Sequence, residues 1–180
     1  MMNVRLLDPA DAAAFQALRL AGLRDHPENF GASHDKERQQ SLDAVAERLA
    51  SGPDRAIFGA EIDGVLVGLI GVYREASQKQ AHKGGIWGMY VDPAYRGKGI
   101  AAALVQRVLA FAAERDGWLQ IKLSANAANI AAIRLYEAHG FVQYGLERGA
   151  LMVDGVLHDE VLMQVELSTP SATHDVAQAA

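Results

Sequence analysis

The chain has 180 residues, of which 50% are hydrophobic and 22% are charged, so it can bury the core of about one ordinary domain. The net charge of −5 argues against a nucleic-acid-binding protein, which needs a basic excess to neutralise phosphates. The absence of cysteine excludes disulfides, thiolate metal sites and cysteine nucleophiles, and no apolar run is long enough to cross a bilayer.

The first residues show no charged segment followed by an apolar one, as a secretory signal would. We therefore expect a soluble, cytoplasmic protein with no membrane contact. One domain is predicted over residues 1–168. The residues that follow are small and polar, which predicts a flexible tail over 169–180.

The first half of the chain predicts two helices between a first strand and a β-hairpin. Ser41 is the predicted N-cap of the second helix, because its hydroxyl can accept from a free N–H of the first turn. Asp63 and Gly64 form a two-residue turn signal between two apolar runs, which indicates an antiparallel hairpin. The predicted elements are a strand at residues 4–7, helices at 10–24 and 42–50, and strands at 56–62 and 65–73.

The second half predicts a strand, a long amphipathic helix, and then a second strand and helix before two closing strands. Asn129 is a predicted N-cap, and Gly140 lies where a left-handed C-terminal cap belongs. The predicted elements are strands at residues 86–91, 118–124, 141–146 and 157–167, with helices at 97–115 and 130–139.

This order of elements predicts the fold class. It is β-α-α-β-β-β-α-β-α-β-β, which is neither a regular alternation nor an all-β pattern. We expect an α/β (α+β) fold, with a mixed, mostly antiparallel twisted sheet and helices on both faces. The unit over residues 86–124 should be a right-handed parallel crossover.

The segment that joins the strand at 86–91 to the long helix carries the most chemical information. Gly97 and Gly99 permit backbone turns closed to other residues, and the first N–H groups of the following helix have no intrahelical partner. Such a loop can hold a phosphate or pyrophosphate, with Arg96 and Lys98 adding positive charge. An ordinary glycine turn with solvated basic residues is the alternative interpretation.

Two common phosphate-binding patterns fit this loop poorly. The Walker A pattern fails because Lys98 is followed by Gly99 and Ile100, with no Ser or Thr. Gly97, Gly99 and Ala102 have the spacing of a dinucleotide fingerprint. That fingerprint, however, begins almost directly after the strand and needs an acidic residue at the end of the next one. NAD is therefore the weaker alternative ligand.

A third pattern fits better. The run Arg96-Gly97-Lys98-Gly99-Ile100-Ala101 matches R/Q-x-x-G-x-G/A, and the strand Met89-Tyr90-Val91-Asp92-Pro93 leads into it. Downstream, the segment from Asn129 to Phe141 fits N-x-x-A-x-x-L-Y-x-x-x-G-F. These two blocks, their order and their spacing resemble the GNAT N-acetyltransferase superfamily over most of the chain.

The resemblance implies that acetyl-CoA is the acyl donor and that Tyr136 is the general acid which protonates the departing coenzyme A thiolate. It also implies that the strand before the loop splays from its neighbour, where a backbone N–H can stabilise an oxyanion. Glycines at 84, 85 and 88 would ease such a splay or a bulge. The cofactor-binding residues it implies are Met89, Tyr90, Val91, Arg96, Gly97, Lys98, Gly99, Ile100, Ala101, Asn129 and Tyr136.

The residues themselves leave these roles open. Asn129 and Tyr136 are seven positions apart and share a helix face, with Ala132 between them leaving room for a ligand. A simple N-cap and a core tyrosine are the alternative roles for the two residues.

The general base is not assigned by the sequence. Many relatives place a glutamate at the start of the strand before the loop, but this chain has no carboxylate there. Glu75, His82 or a bound water are the candidates, and Tyr90 could form a wall of the acceptor pocket.

Acceptor specificity should come from the first two helices and their loop through Phe30, from residues 74–83 and from residues 147–157. Carboxylates in or near these segments could attract a cationic amine or be ordinary surface charge. They are Glu37, Glu75, Asp159 and Glu160.

We therefore expect an acetyl-CoA-dependent N-acetyltransferase that moves the acetyl group directly to a primary amine of a small molecule or peptide. The alternative is a non-catalytic acyl-CoA-binding sensor or interaction module of the same fold. The six histidines show no metal-ligand spacing, so no metal is expected. No nucleic acid is expected as a partner, and a homodimer is common in the family.

Overall fold

Seven strands form one sheet in this computed structural model, which describes residues 1–167. The predicted flexible tail at 169–180 lies outside the described residues. In chain order the strands are β1 (Met2–Leu6), β2 (Arg55–Ile62), β3 (Val65–Arg74), β4 (Lys83–Val91), β5 (Gln120–Asn126), β6 (Val142–Val153) and β7 (Val156–Glu166).

The spatial order of the strands is β1-β2-β3-β4-β5-β7-β6. Every neighbouring pair is antiparallel except β4 and β5. This mixed, mostly antiparallel sheet confirms the predicted fold class. Within residues 1–167, no helix is long and apolar enough to cross a membrane.

In the described part of the chain, five α-helices connect the strands, and the fourth joins the parallel pair. They are α1 (Ala12–Asp25), α2 (His34–Glu37), α3 (Leu42–Leu49), α4 (Ile100–Ala113) and α5 (Ile130–Ala138).

Helices cover both faces of the sheet, as predicted. Successive residues of a strand point to opposite faces, so a strand that is buried throughout needs cover on both sides. Phe58 and Ile70 belong to the apolar cluster that includes the buried face of α4. Their neighbours Ile57 and Leu69 belong to a second cluster, formed with α1 and α3.

Local signals placed several boundaries correctly. Asp63 and Gly64 have φ of 50° and 82°, the positive values that a two-residue hairpin turn of this kind requires. The Ser41 hydroxyl accepts from the Ala44 N–H at 3.2 Å and begins α3 as predicted. Gly140 has φ of 86° and follows α5 as its left-handed cap.

Other boundaries differ from the prediction. The long helix begins at Ile100 and not at residue 97, because Gly97 and Gly99 both have φ of 76°, outside helical geometry. β6 continues to Val153, beyond the predicted end at residue 146, because two irregularities in its register let it pair with β7 across a polar stretch. The short α2 was not predicted, since a single turn leaves no periodic pattern.

Candidate active site

The loop before α4 presents a set of free backbone donors. Gly99 is the N-cap of α4 and has no side chain to cap it, and the first helical hydrogen bond runs from the Ala103 N–H to the Gly99 carbonyl at 3.0 Å. The N–H groups at residues 100–102 therefore have no intrahelical acceptor. A Cβ built on Gly97 or Gly99 would meet nothing within 4 Å. The loop is open toward a ligand and favours negative charge, as a phosphate cradle requires.

A cavity of about 690 Å³ runs along this loop, which is a size typical of sites for small molecules and cofactors. It lies between the end of β4, the N-terminal turn of α4, and one face of α5. Nearly all the predicted cofactor-binding residues line it. These are Met89, Tyr90, Val91, Arg96, Gly97, Gly99, Ile100, Ala101, Asn129 and Tyr136.

The two basic side chains of the loop are placed differently. Lys98 does not line the cavity, and its Nζ lies 5.0 Å from the centre of the Tyr95 ring. Arg96 lines the cavity, but its Nε donates to the Val91 carbonyl at 3.1 Å and its Nη2 lies 3.3 Å from Nε2 of His26. Arg96 thus ties the loop to β4 and to the segment after α1, while the glycine backbone is left open.

The parallel strands β4 and β5 separate beside the cavity. They pair only where residues 83–85 meet residues 120–122, although both strands continue beyond that point. A second cavity of about 90 Å³ occupies the gap and shares Met89 and Tyr136 with the larger one. The structure therefore has the splay that the family resemblance implies, with β4 backbone facing a cavity.

A β-bulge distorts β4 at the splay. In its pairing with β3, Trp87 lies opposite Gly71 and Tyr90 opposite Leu69, so β4 contains one extra residue. Gly88 has φ of 68°, which a side chain would strain. This observation supports the prediction that Gly88 eases a bulge in this strand. Gly84 and Gly85 stay in regular pairing with β3.

The two predicted residues of α5 lie on the same cavity wall. The Asn129 Oδ1 accepts from the Ala132 N–H at 3.1 Å and caps the helix, and its Nδ2 lies 3.4 Å from the Asn29 Oδ1. Tyr136 is 5% exposed, and its ring packs edge-on against Phe141. Burial raises the pKa of the Tyr136 phenol above its ordinary value. The hydroxyl is therefore protonated at neutral pH.

The sequence did not single out several cavity residues that follow α1. His26, Glu28 and Asn29 line the larger cavity beside Phe30, the loop residue that was expected near the acceptor. This segment is held in place by Asn126, whose Nδ2 donates to the Glu28 carbonyl at 2.9 Å. The contact joins residues 98 positions apart, and no local sequence signal could have indicated it.

The candidate bases from sequence lie elsewhere. Neither Glu75 nor His82 lines either cavity, so the structure does not bring them to Tyr136. The titratable side chains that do line the larger cavity include His26, Glu28 and His158.

The segments expected to select the acceptor contribute unevenly to the lining of the two cavities. Residues 74–83 and 147–157 line neither cavity, whereas Phe30 lines both. Glu37 was expected to attract an amine or to be surface charge, but its side chain is only 11% exposed and pairs with Arg19. Burial alone would raise the pKa of Glu37, but hydrogen bonds from Arg19 and the charges of Arg19 and Arg48 hold it below its ordinary value.

Residues 1–167 contain no group of three or more His, Asp or Glu side chains placed to hold a metal ion. The sixth histidine, His174, lies outside that range.

Comparison with known sequences identifies proteins of related type. A profile described as the acetyltransferase (GNAT) family matches residues 17–141. The N-alpha-acetyltransferase RimI of Mycobacterium tuberculosis is 33% identical over 132 residues, covering 71% of this chain and 77% of that protein. Mycothiol acetyltransferase of Thermobispora bispora is 32% identical over 153 residues, covering 81% of this chain but only 48% of its own length.

Solved structures share the fold. An acetyltransferase of the GNAT family from Streptococcus pneumoniae superimposes with a TM-score of 0.84 at 20% identity, covering 93% of this chain and 100% of that one. The structure of yncA from Salmonella typhimurium, determined with its cofactor acetyl-CoA, has a TM-score of 0.78 at 22% identity and covers 96% of this chain and 97% of that one. At these identities the likeness concerns the fold alone.

Proposed function

Because the chain belongs to the acetyltransferase (GNAT) family, we propose that it moves an acetyl group from acetyl-CoA directly to the amine of a small molecule or peptide. Family membership makes it an acyltransferase that uses acetyl-CoA. The observation that carries the proposal is the open glycine loop at the α4 N-terminus, in one cavity with the buried Tyr136.

The residues present fit the cofactor. The open positions at Gly97 and Gly99 and the free N–H groups of the α4 N-terminus would hold its pyrophosphate. The β4 backbone at residues 89–91 would hold its extended arm, since no strand pairs with it across the gap to β5. Acetyl-CoA supplies an acetyl group activated as a thioester. We assign the other cofactor contacts to Ile100, Ala101 and Asn129, and a weaker, peripheral one to Lys98.

The chain itself would supply two functions during acyl transfer. A free β4 N–H beside the bulge at Gly88 would donate to the oxygen that gains negative charge. The Tyr136 hydroxyl would donate to the sulfur that leaves. In the balanced reaction an N–C bond forms and a C–S bond breaks. The amine loses one proton and the thiolate gains one.

The test is acetyl-CoA turnover with a panel of amines, including small molecules and peptides with free N-termini, followed by mass spectrometry of the products. We expect an N-acetylated product from at least one class. The missing carboxylate at the start of β4 also motivates a non-catalytic acyl-CoA sensor of the same fold. Saturable acetyl-CoA binding with no turnover of any amine would favour that sensor.

We also propose a cytoplasmic location and a homodimer. They rest on the composition and on the family resemblance, respectively. Cell fractionation tests the location, and sedimentation at several protein concentrations tests the homodimer.

A further inference from the structure

A buried ion pair lies behind the reaction cavities. Arg19, on α1, is 5% exposed, and Glu37, on α2, is its partner. The Arg19 Nε donates to the Glu37 Oε2 at 3.1 Å and its Nη2 donates to Oε1 at 3.0 Å. This two-point pairing occupies one edge of the guanidinium and fixes its plane.

The third nitrogen of the guanidinium has no partner. Among the described residues, Nη1 of Arg19 is buried and makes no hydrogen bond. The guanidinium carbon lies 5.1 Å from the centre of the Phe30 ring and 5.5 Å from that of Trp87, so aromatic rings cover its faces. A buried donor left unpaired is destabilising, and more so when it is charged. Nη1 can therefore donate a hydrogen bond to an acceptor atom from outside the chain.

This nitrogen lies behind the wall of the smaller cavity at the β4 bulge, and Arg19 itself lines neither cavity. A Cβ built on Gly88 would lie 3.3 Å from Nη1, and Gly88, Trp87 and Phe30 all line that cavity together with Tyr136. Because Gly88 has no side chain, only its backbone stands there. The Phe30 ring lies over the guanidinium and also lines this cavity, so a ligand that displaced this half-buried ring would reach Nη1. The volume of about 90 Å³ holds roughly three waters, or a carboxylate with one or two carbons.

The local charge favours an anion. Arg48 Nη1 lies 3.4 Å from the Glu37 Oε2, and its guanidinium carbon lies 4.6 Å from the Trp87 ring centre. One carboxylate thus serves two guanidinium groups, which leaves one net positive charge. In a partly buried site, where screening by solvent is weak, this charge repels a cation and attracts an anion.

We propose that the acceptor is an amino acid-like amine whose carboxylate binds the free Nη1 of Arg19, a specificity-determining residue. The inference rests on the proposed acetyl transfer and narrows its acceptor class. With the carboxylate held at the bulge, the neighbouring amine lies in the same small cavity as Tyr136 and the β4 backbone. Only an acceptor that combines an amine and a nearby anion can place the anion at the bulge and the amine beside Tyr136.

The test compares L-amino acids with their carboxamides, which keep the amine and remove the negative charge. The unaltered protein should acetylate the acids with kcat/KM about 100-fold above the matching amides. Arg19→Gln should lose this preference by lowering kcat/KM for the acids about 100-fold, with little change for the amides. Its Kd for acetyl-CoA should stay unchanged. Arg24→Gln, on the same helix but exposed and paired with Asp25, is the matched control and should keep the preference.

The outcomes separate this inference from the proposed function. If amides are acetylated as well as acids, the acetyl transfer stands and the carboxylate subsite is wrong. A selectivity that survives Arg19→Gln also overturns it. Should that variant fail to fold, Arg19→Lys replaces it, and the acid-to-amide comparison needs no variant. If no amine is acetylated, calorimetry with L-amino acids and coenzyme A decides. If the L-amino acid binds to the unaltered protein and an Arg19 substitution removes this binding, the subsite is supported. If the L-amino acid does not bind to the unaltered protein, the subsite is refuted.

Discussion

Removing one oxygen from Tyr136 tests the predicted leaving-group role with little structural disturbance. In Tyr136→Phe the ring keeps its edge-on contact with Phe141, and the lost hydroxyl has no hydrogen-bond partner among the described residues. The free energy of unfolding should therefore change little. The Kd for acetyl-CoA should also stay near its original value, because the loop that would hold the pyrophosphate is untouched.

The expected loss is in kcat. A positioned acid contributes typically about 10²–10⁴ to the rate. Burial raises the pKa of Tyr136 above its ordinary value of about 10, whereas a thiol has a pKa of about 8.5, so full proton release to a thiolate is uphill. We therefore expect the lower end of the range, about 100-fold or ~2.7 kcal/mol.

The assay is the initial rate of thiol release at saturating acetyl-CoA. Tyr73→Phe is the matched control, since Tyr73 is a strand tyrosine that lines neither cavity, and its kcat should not change. An unchanged kcat in Tyr136→Phe would show that the tyrosine is structural and would refute the reasoning.

The remaining predictions concern the phosphate loop, the buried ion pair and the core. In Gly99→Glu, a new negative charge would stand beside the bound pyrophosphate. Repulsion between two unit charges several ångströms apart is ~3 kcal/mol at an effective dielectric constant of about 20, so Kd for acetyl-CoA should rise about 100-fold in calorimetry. Gly64→Glu carries a similar positive-φ strain at an open turn and should bind acetyl-CoA normally; equal affinity of both variants would contradict the loop assignment. Glu37→Gln should lower the free energy of unfolding by about 3 kcal/mol at pH 7, because it leaves Arg19 buried without its counter-charge. The folded-state pKa of Glu37 is depressed, so its contribution exists above the ordinary carboxyl pKa of about 4.3 and is lost as pH falls through the folded value. Urea titrations of variant and parent should thus converge at low pH, and a constant difference would contradict this account. Leu104→Ala, at a fully buried position of α4, should lower the free energy of unfolding by about 3 kcal/mol both at pH 7 and at low pH.

Local chemistry explains what the sequence predicted well. The hairpin turn at Asp63 and Gly64 and the caps at Ser41 and Asn129 depend on residues within a few positions of each other. The strands and long helices follow from apolar periodicity, which reports burial directly. The predicted cofactor-binding residues came mostly from the family resemblance, and all of them except Lys98 line the larger cavity.

Contacts between distant segments explain which features could not be predicted from the sequence. Arg19 and Glu37 read as ordinary charged residues, because nothing near either one shows that α1 and α2 bury them together. Asn126 likewise gives no local sign that it fastens the segment after α1. Glu75 and His82 were candidate bases because the sequence does not reveal that both lie outside the cavities.

Calorimetric titration of the purified protein with acetyl-CoA, with NAD as the control ligand, tests the central claim most directly. The open loop and the cavity beside it predict saturable binding of acetyl-CoA at one site per chain and no binding of NAD. Failure to bind acetyl-CoA, or equal binding of NAD, would contradict the assignment of the glycine loop to coenzyme A.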